Sequence, residues 1–139
     1  MSSDEERVNN LVGEARMLEG ALNDLGARQN LLERIMIESR NSVDTIKGLD
    51  SSTSQEILIP VGGGVLLRTV PPKLEKVLVN IGANVMVETP KDEAVKIMEG
   101  RVQQLEEDLV ALLNQRNQIA QRLDQDRRAI QSLLNRQGK

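Results

Sequence analysis

Two long heptad tracts limit the folds open to this chain more than any other feature. In each tract, apolar side chains recur at alternating steps of three and four residues, the spacing of coiled-coil seam positions. Polar residues interrupt the first tract only at Gln29 and Ser39, and the second only at Arg116 and Asp126. The seam positions are Val8, Leu11, Ala15, Leu18, Leu22, Leu25, Gln29, Leu32, Met36, Ser39, Val43 and Ile46, then Val95, Met98, Val102, Leu105, Leu109, Leu112, Arg116, Ile119, Leu123, Asp126, Ile130 and Leu133. Each tract predicts a helix roughly 60–70 Å long at ~1.5 Å per residue.

The two predicted helices are of equal length and should fold back on each other in antiparallel fashion. This pairing places Ile46 near Val95 at one end and Val8 near Leu133 at the other, where the seam is left uncovered. The sequence therefore divides into an N-terminal helix (1–48), a central block (49–89) and a C-terminal helix (90–139).

The predicted helix ends carry recognisable signals. Ser3 with Glu6 fits a capping box, and Gly48 fits a glycine stop at the end of the first helix. The segment Thr89-Pro-Lys-Asp92 offers a cap, a proline in the first turn and an acid, so it predicts the start of the second helix. Four glycines on the outer faces weaken the helices by about 1 kcal/mol each relative to alanine. They are Gly13, Gly20, Gly26 and Gly100.

The central block reads as two β-hairpins after a polar linker, Gly48 to Thr53. The predicted strands cover residues 56–61, 64–70, 75–81 and 84–89. Gly62-Gly-Gly, Pro71-Pro-Lys and Gly82-Ala-Asn separate them, and Gly and Asn allow the positive φ angles of tight turns.

The triple glycine, Gly62 to Gly64, raises the question of a phosphate-binding loop. Such a loop leads into a helix N-terminus and usually continues with Gly-Lys-Ser/Thr. Here the strand-like run Val65-Leu-Leu-Arg-Thr-Val follows instead. We interpret the glycines as a hairpin turn, and we expect no nucleotide site.

The composition argues against most catalytic and cofactor chemistry. The chain has no Cys, His, Phe, Tyr or Trp, so the usual ligands of zinc, haem and copper are missing. A net charge of −3 and the lack of stacking aromatics make nucleic-acid binding unexpected. No apolar run is long enough to span a membrane, and the acidic N-terminus does not resemble a signal peptide. Binding of Mg²⁺ or Ca²⁺ by carboxylates alone stays open, although no Asp-rich loop of EF-hand spacing appears. We expect no enzyme activity, no metal and no cofactor.

The strands lack the alternation that would leave one sheet face polar. Both faces of each hairpin are apolar, and so small a block cannot cover them or its strand edges. The sequence therefore predicts an obligate oligomer that assembles through the strands. The candidate assembly residues are Ile57, Ile59, Val65, Leu67, Val77, Val79, Ile81, Val85 and Val87.

The order of these segments resembles an alpha-type subunit of prefoldin, the chaperone also called GimC, of the archaeal kind. The specific motifs are Glu56-Ile-Leu-Ile-Pro-Val-Gly62 and Val77-Leu-Val-Asn-Ile-Gly82, followed by Val87-Glu-Thr and Asp92-Glu-Ala. Two hairpins instead of one are typical of the alpha class. The family often has Gly-x-Gly-Tyr where this chain has Gly82-Ala-Asn-Val, and it has strand aromatics that are absent here.

The resemblance implies an α+β fold, a long antiparallel coiled-coil hairpin whose two β-hairpins assemble into an oligomeric β-barrel body. It also implies a cytoplasmic hexamer of two alpha and four beta subunits. This hexamer would hold unfolded polypeptides at its coiled-coil tips without ATP and deliver them to a group II chaperonin. The candidate client-binding residues are Val8, Leu11, Val12, Ile130, Leu133 and Leu134. Two other interpretations stay open: these residues are merely frayed helix ends, or the chain is a passive coiled-coil scaffold or tether.

Overall fold

A computed structural model describes residues 2–49, 56–71 and 75–138. In chain order the elements are helix α1 (Ser3–Gly48), strands β1 (Ile57–Gly62), β2 (Val65–Thr69), β3 (Lys76–Asn80) and β4 (Met86–Pro90), and helix α2 (Lys91–Gln137). The α+β class with two long helices around two β-hairpins is confirmed. Most of the predicted polar linker, and most of the connection that begins at Pro71, lie outside the described residues.

The chain forms two compact units. One, here called the terminal unit, comprises Met1–Ile35 and Leu105–Lys139, and the other, the central unit, comprises Met36–Gln104. The terminal unit is built from α1 and α2 alone. The central unit contains both hairpins together with the remaining parts of the helices.

The seam positions predicted from the heptads are all buried or half-buried in the structure. In the terminal unit, Leu25, Leu112 and Leu123 are among the most deeply covered side chains. The residues between seam positions are mostly exposed. The periodic pattern therefore identified the buried stripe of both helices.

Polar contacts between the helices establish the antiparallel direction within the terminal unit. Arg127 Nη2 lies 2.8 Å from Glu19 Oε1, whereas the later α1 residue Gln29 contacts the earlier α2 residue Arg116. In the central unit, Lys47 Nζ lies 2.8 Å from Glu99 Oε1. Charged residues that flank a coiled-coil seam set the orientation and choice of partner helix. The predicted antiparallel pairing is thus confirmed in direction.

The helix starts differ from the sequence prediction. Ser2, not Ser3, caps α1: its Oγ accepts a hydrogen bond from the Glu5 amide at 3.3 Å. The capping box with Glu6 was therefore wrong by one residue. Thr89 is not a helix cap, because it lies in β4 and its hydroxyl donates to the Val87 carbonyl at 3.1 Å. Pairing with β3 takes the backbone at Thr89 and Pro90 into the strand, so α2 begins only at Lys91.

Both predicted hairpins are present as separate two-stranded antiparallel sheets. Gly63 and Gly64 form the first turn with φ angles of 60° and 79°. In the second turn Ala83 and Asn84 take φ angles of 50° and 60°, a region that asparagine tolerates better than alanine. The Asn80 side-chain oxygen accepts a hydrogen bond from the Gly82 amide at 2.8 Å and orders this turn. The triple glycine connects two strands, as predicted.

Glycine substitutions should separate two roles of glycine in this chain: a weak point within a helix and a turn residue with a positive φ angle. A Cβ at Gly20, on the exposed face of α1, would meet no atom within 4 Å. We therefore expect Gly20→Ala to raise the free energy of unfolding by about 1 kcal/mol through helix propensity. Gly63→Ala should lower it by about 1–2 kcal/mol, because alanine resists the left-handed backbone. Thermal unfolding followed by circular dichroism measures both, and a destabilising Gly20→Ala would contradict the assignment of this glycine as a weak point.

Candidate interaction surfaces

The hairpins leave most of their apolar side chains exposed on the central unit. Of the candidate assembly residues, Val79 is buried, Ile57 and Val77 are half-buried, and the rest are exposed. Both faces of the first hairpin carry apolar pairs: Ile59 is opposite Leu67 on one face, and Pro60 is opposite Leu66 on the other. The sequence analysis did not name the exposed apolar residues on the other faces. They are Leu58, Val61, Leu66, Val70, Leu78 and Met86. In the sequence, the lack of alternation between apolar and polar residues along the strands indicated that these faces are apolar as well.

The two hairpins differ in how they meet the helices. The second hairpin buries Val79 and Thr89, at 6% exposure each, and α2 buries Ala94 completely. Among the described residues, the first hairpin has no buried side chain. One hairpin thus packs within its own unit, while the other presents its apolar surface outward.

Polar contacts attach the second hairpin to the helices of the central unit. Arg101 Nη2 donates a hydrogen bond to the Asn80 carbonyl at 2.6 Å, and the Lys91 amide donates to the Glu75 carbonyl at 3.0 Å. Beside Arg101 lies an open groove of about 570 Å³, and both helices and the second hairpin line it. The lining side chains include Ile46, Met86 and Met98. Sequence reasoning missed Arg101, because its partner is a backbone atom that no side-chain pattern reveals.

The six candidate client-binding residues all lie in the terminal unit, near the start of α1 and the end of α2. Leu134 is exposed, Leu133 is buried, and the other four are half-buried. They do not form one open patch in this structure. Access to Leu133 requires the helix ends to separate.

A cluster of charged groups lies in the same unit. Asp126 occupies a seam position and is only 3% exposed. Arg122 bridges two carboxylates: its Nε lies 2.7 Å from Glu14 Oε1 and 3.6 Å from Asp126 Oδ1. The other carboxylate oxygen of Asp126, Oδ2, has no hydrogen-bond partner.

The environment moves the pKa values of these two acids in opposite directions. Burial, followed by the charge of Glu14, raises the pKa of Asp126, although Arg122 opposes this rise. The hydrogen bond from Arg122 lowers the pKa of Glu14. The sequence analysis noted Asp126 as a polar interruption of the seam, but its proximity to Glu14 on α1 was not predictable from spacing alone.

A second polar layer crosses the seam in the terminal unit. Arg116 donates through Nη1 to the Gln29 side-chain oxygen, and Gln29 in turn donates to Glu33 Oε1 at 3.0 Å. Two of the polar interruptions of the heptads, Gln29 in α1 and Arg116 in α2, therefore face each other. Such matched polar positions favour one register of a coiled coil over its neighbours.

Within the described ranges, no group of three or more acidic, His or Cys residues could hold a metal ion. The described helices also include none that is long and apolar enough to cross a membrane.

Comparison with known proteins agrees with this geometry. The family model for prefoldin subunits matches residues 18–136. The prefoldin subunit alpha of Nitrosopumilus maritimus is 28% identical over 130 residues, which cover 94% of this chain and 90% of the relative. That of Archaeoglobus fulgidus is 31% identical over 128 residues, covering 89% and 93%.

The chain belongs to the prefoldin subunit family. Its resemblance to the archaeal alpha class is confirmed, and membership makes it a component of a chaperone that is not an enzyme. Among solved structures, the prefoldin beta subunit from Thermococcus strain KS-1 matches with a TM-score of 0.65 at 20% identity, covering 95% of this chain and 96% of that one. A filamentous prefoldin from Methanocaldococcus jannaschii matches with a TM-score of 0.53 at 23% identity, covering 87% and 95%. At these identities the two structures support the fold alone.

The register of the prefoldin helices in the terminal unit can be tested by cross-linking. In the terminal unit Arg122 contacts Glu14, and Arg127 contacts Glu19. These two long-side-chain pairs are offset in opposite directions from the register that places Leu11 opposite Ile130. A Leu11→Cys, Ile130→Cys variant should therefore form a disulfide within one chain, which requires Cα atoms about 4.4–6.8 Å apart. Non-reducing electrophoresis and peptide mapping detect it.

The matched control for this cross-link combines Gly13→Cys with Ile130→Cys. Gly13 lies on the exposed outer face of α1, so this pair should not link within a chain. Efficient links between chains in the seam variant, with none inside a chain, would contradict the antiparallel hairpin.

Proposed function

We propose that this chain is the alpha subunit of an ATP-independent holding chaperone, which binds unfolded polypeptides at the ends of its coiled coil. The observation that carries this proposal is the apolar seam of the terminal unit, which continues to the helix ends and leaves Val12 and Ile130 half-buried and Leu134 exposed. Unfolded chains expose apolar side chains. Burying one Leu or Ile side chain is worth about 1.5–3 kcal/mol.

Several such contacts add up without a specific pocket. Weak sites repeated on several coiled coils of one complex give avidity, because the second contact becomes intramolecular. This arrangement suits clients of varied sequence. Holding without ATP suits the triple glycine, which forms the turn between β1 and β2 instead of leading into a helix N-terminus.

In this proposal the work is divided along the chain. Residues 49–89 form the assembly segment, and the helical segments 1–48 and 90–139 provide client contacts. The strands join those of a second copy and of four beta-type subunits in a barrel-shaped body, which gives a hexamer of two alpha and four beta subunits. The complex works in the cytoplasm and passes its clients to a group II chaperonin. Support comes from the exposed apolar hairpins and from family membership.

Assembly can be tested at Leu67, which is 52% exposed on the first hairpin. Leu67→Asp should leave the subunit folded and prevent assembly, because the interface would bury an unpaired charge. Val79→Asp is a poorer test, since Val79 is already buried within its own unit. Co-expression with a beta-type subunit followed by native mass spectrometry measures the result.

The matched control is Leu113→Asp, the same change at an exposed leucine of α2. This variant should assemble normally. If Leu67→Asp also gave the full complex, the first hairpin would not be an assembly surface.

Client binding can be tested at the helix ends without affecting assembly. The double variant Val12→Asn, Leu134→Asn should weaken client binding about a hundredfold, since each of the two lost contacts removes on the order of 1.5 kcal/mol, or about tenfold. Suppression of aggregation of a chemically unfolded protein provides the measurement. Val110→Asn is the control, because Val110 is 58% exposed on α2, more than Leu134, but lies away from the helix end.

The outcomes separate the proposal from its alternative. Loss of protection in the double variant alone supports client binding at the helix ends. Equal protection by all variants and by the intact complex would place the binding surface elsewhere. A complex that assembles but protects no client at all would favour the passive scaffold or tether.

A further inference from the structure

The charged cluster of the terminal unit contains one cation for two acids. Arg122 Nε is closer to Glu14 Oε1, at 2.7 Å, than to Asp126 Oδ1, at 3.6 Å. Glu14 is also the more exposed acid, with 39% of its side chain accessible against 4% for Asp126. Asp126 is therefore the acid with less solvent and the weaker ion pair.

The neighbouring cations do not relieve Asp126. Arg127 is engaged with Glu19 at 2.8 Å, and Arg128 with Asp124 at 3.1 Å. The charged groups that act on Asp126 are Glu14 from α1 and Arg122 from α2. With Oδ2 unpartnered, an ionised Asp126 at this seam position lacks the hydrogen bonds that a buried charge requires.

A proton on Asp126 changes this balance. The protonated carboxyl is neutral and can donate a hydrogen bond to Glu14, whose carboxylate stays ionised beside Arg122. The same proton removes the repulsion between the two acids. When the helix ends separate, Asp126 regains water, and its carboxyl ionises at the ordinary value for aspartate.

We propose that Glu14, Arg122 and Asp126 form a proton-dependent latch, which closes the helix ends of the terminal unit when Asp126 is protonated and loosens them when it ionises. The effect has a definite sign. The pKa of Asp126 is raised in the closed state, so closure is favoured at low pH and weakens as the pH rises through that raised pKa. Glu14 acts oppositely, but only below its ordinary pKa of about 4.5.

Loosening the latch would expose Leu11, Ile130 and Leu133, which lie at the seam positions between this charged cluster and the helix ends. This consequence rests on the proposed function: client holding would then increase with pH. The latch itself does not depend on any client and can be tested without one.

Hydrogen exchange of the amides in residues 126–137 measures opening directly. The full chain in its native oligomer is compared between about pH 5 and pH 8, with rates expressed as protection factors to remove the intrinsic pH effect. One linked proton changes the opening constant by at most about tenfold per pH unit. We expect protection of the wild-type chain to fall several-fold over this range and then level off.

Three variants decide the origin of this change. Asp126→Asn keeps the size of the side chain and removes its charge, so protection should become independent of pH and stay high. Glu14→Gln frees Arg122 for Asp126, so the pH dependence should shrink. Asp124→Asn, an exposed acid paired with Arg128, should behave like the wild type.

An unchanged pH dependence in Asp126→Asn, or protection that rises with pH in the wild type, would overturn the latch. If Asp126→Asn fails to fold, the Glu14→Gln arm still decides, because an undiminished pH dependence there also contradicts the proposal. Failure of client holding with an intact latch response would count against the proposed function alone.

Discussion

The absence of aromatic side chains is the constraint on which the packing of this molecule depends. The chain has no Phe, Tyr or Trp, and among the described residues no large side chain is fully buried. Burial is therefore confined to a seam one side chain wide and to the contact between the second hairpin and the helices. A seam gains only about 1.5–3 kcal/mol for each buried Leu or Ile side chain. The described apolar side chains of the first hairpin therefore stay mostly exposed, and their surface is available to other chains.

The two hairpins show how a similar strand pattern serves two purposes. The second hairpin is held by Arg101 on the Asn80 carbonyl and by the buried Val79. The first has no comparable attachment among the described residues, although its turn is equally well defined by Gly63 and Gly64. Turn chemistry therefore fixes each hairpin locally, while contacts with the helices distinguish the hairpin that packs inward from the one that faces solvent.

Periodicity made the helices, their seam and their direction predictable, and Gly and Asn marked the turns. Polar contacts between distant residues, such as that of Arg101 with the Asn80 carbonyl, were not predictable from spacing. The choice of Ser2 over Ser3 as cap depends on backbone geometry, since either hydroxyl suits the position. The burial of Val79 could not be inferred, because strands that are apolar on both faces do not show which face meets a helix. Which residues of α1 lie beside Asp126 depends on the register between the two helices. The heptad pattern determines that register only to within one helical turn.

The effect of the polar seam residues follows from comparing the free energy of pairing between the two helices with that of binding a client. Under the proposed function, an unfolded polypeptide competes with the partner helix for the same apolar side chains, and each contact is worth about the same on either side. A seam of uniform leucines would win this competition and stay closed. Outer-face Gly13 and Gly20 cost about 1 kcal/mol each, and an incompletely paired Asp126 lowers the stability of closure further. The glycines and the buried aspartate thus lower the free energy needed to separate the helices, so that weak contacts with clients of varied sequence can compensate for it.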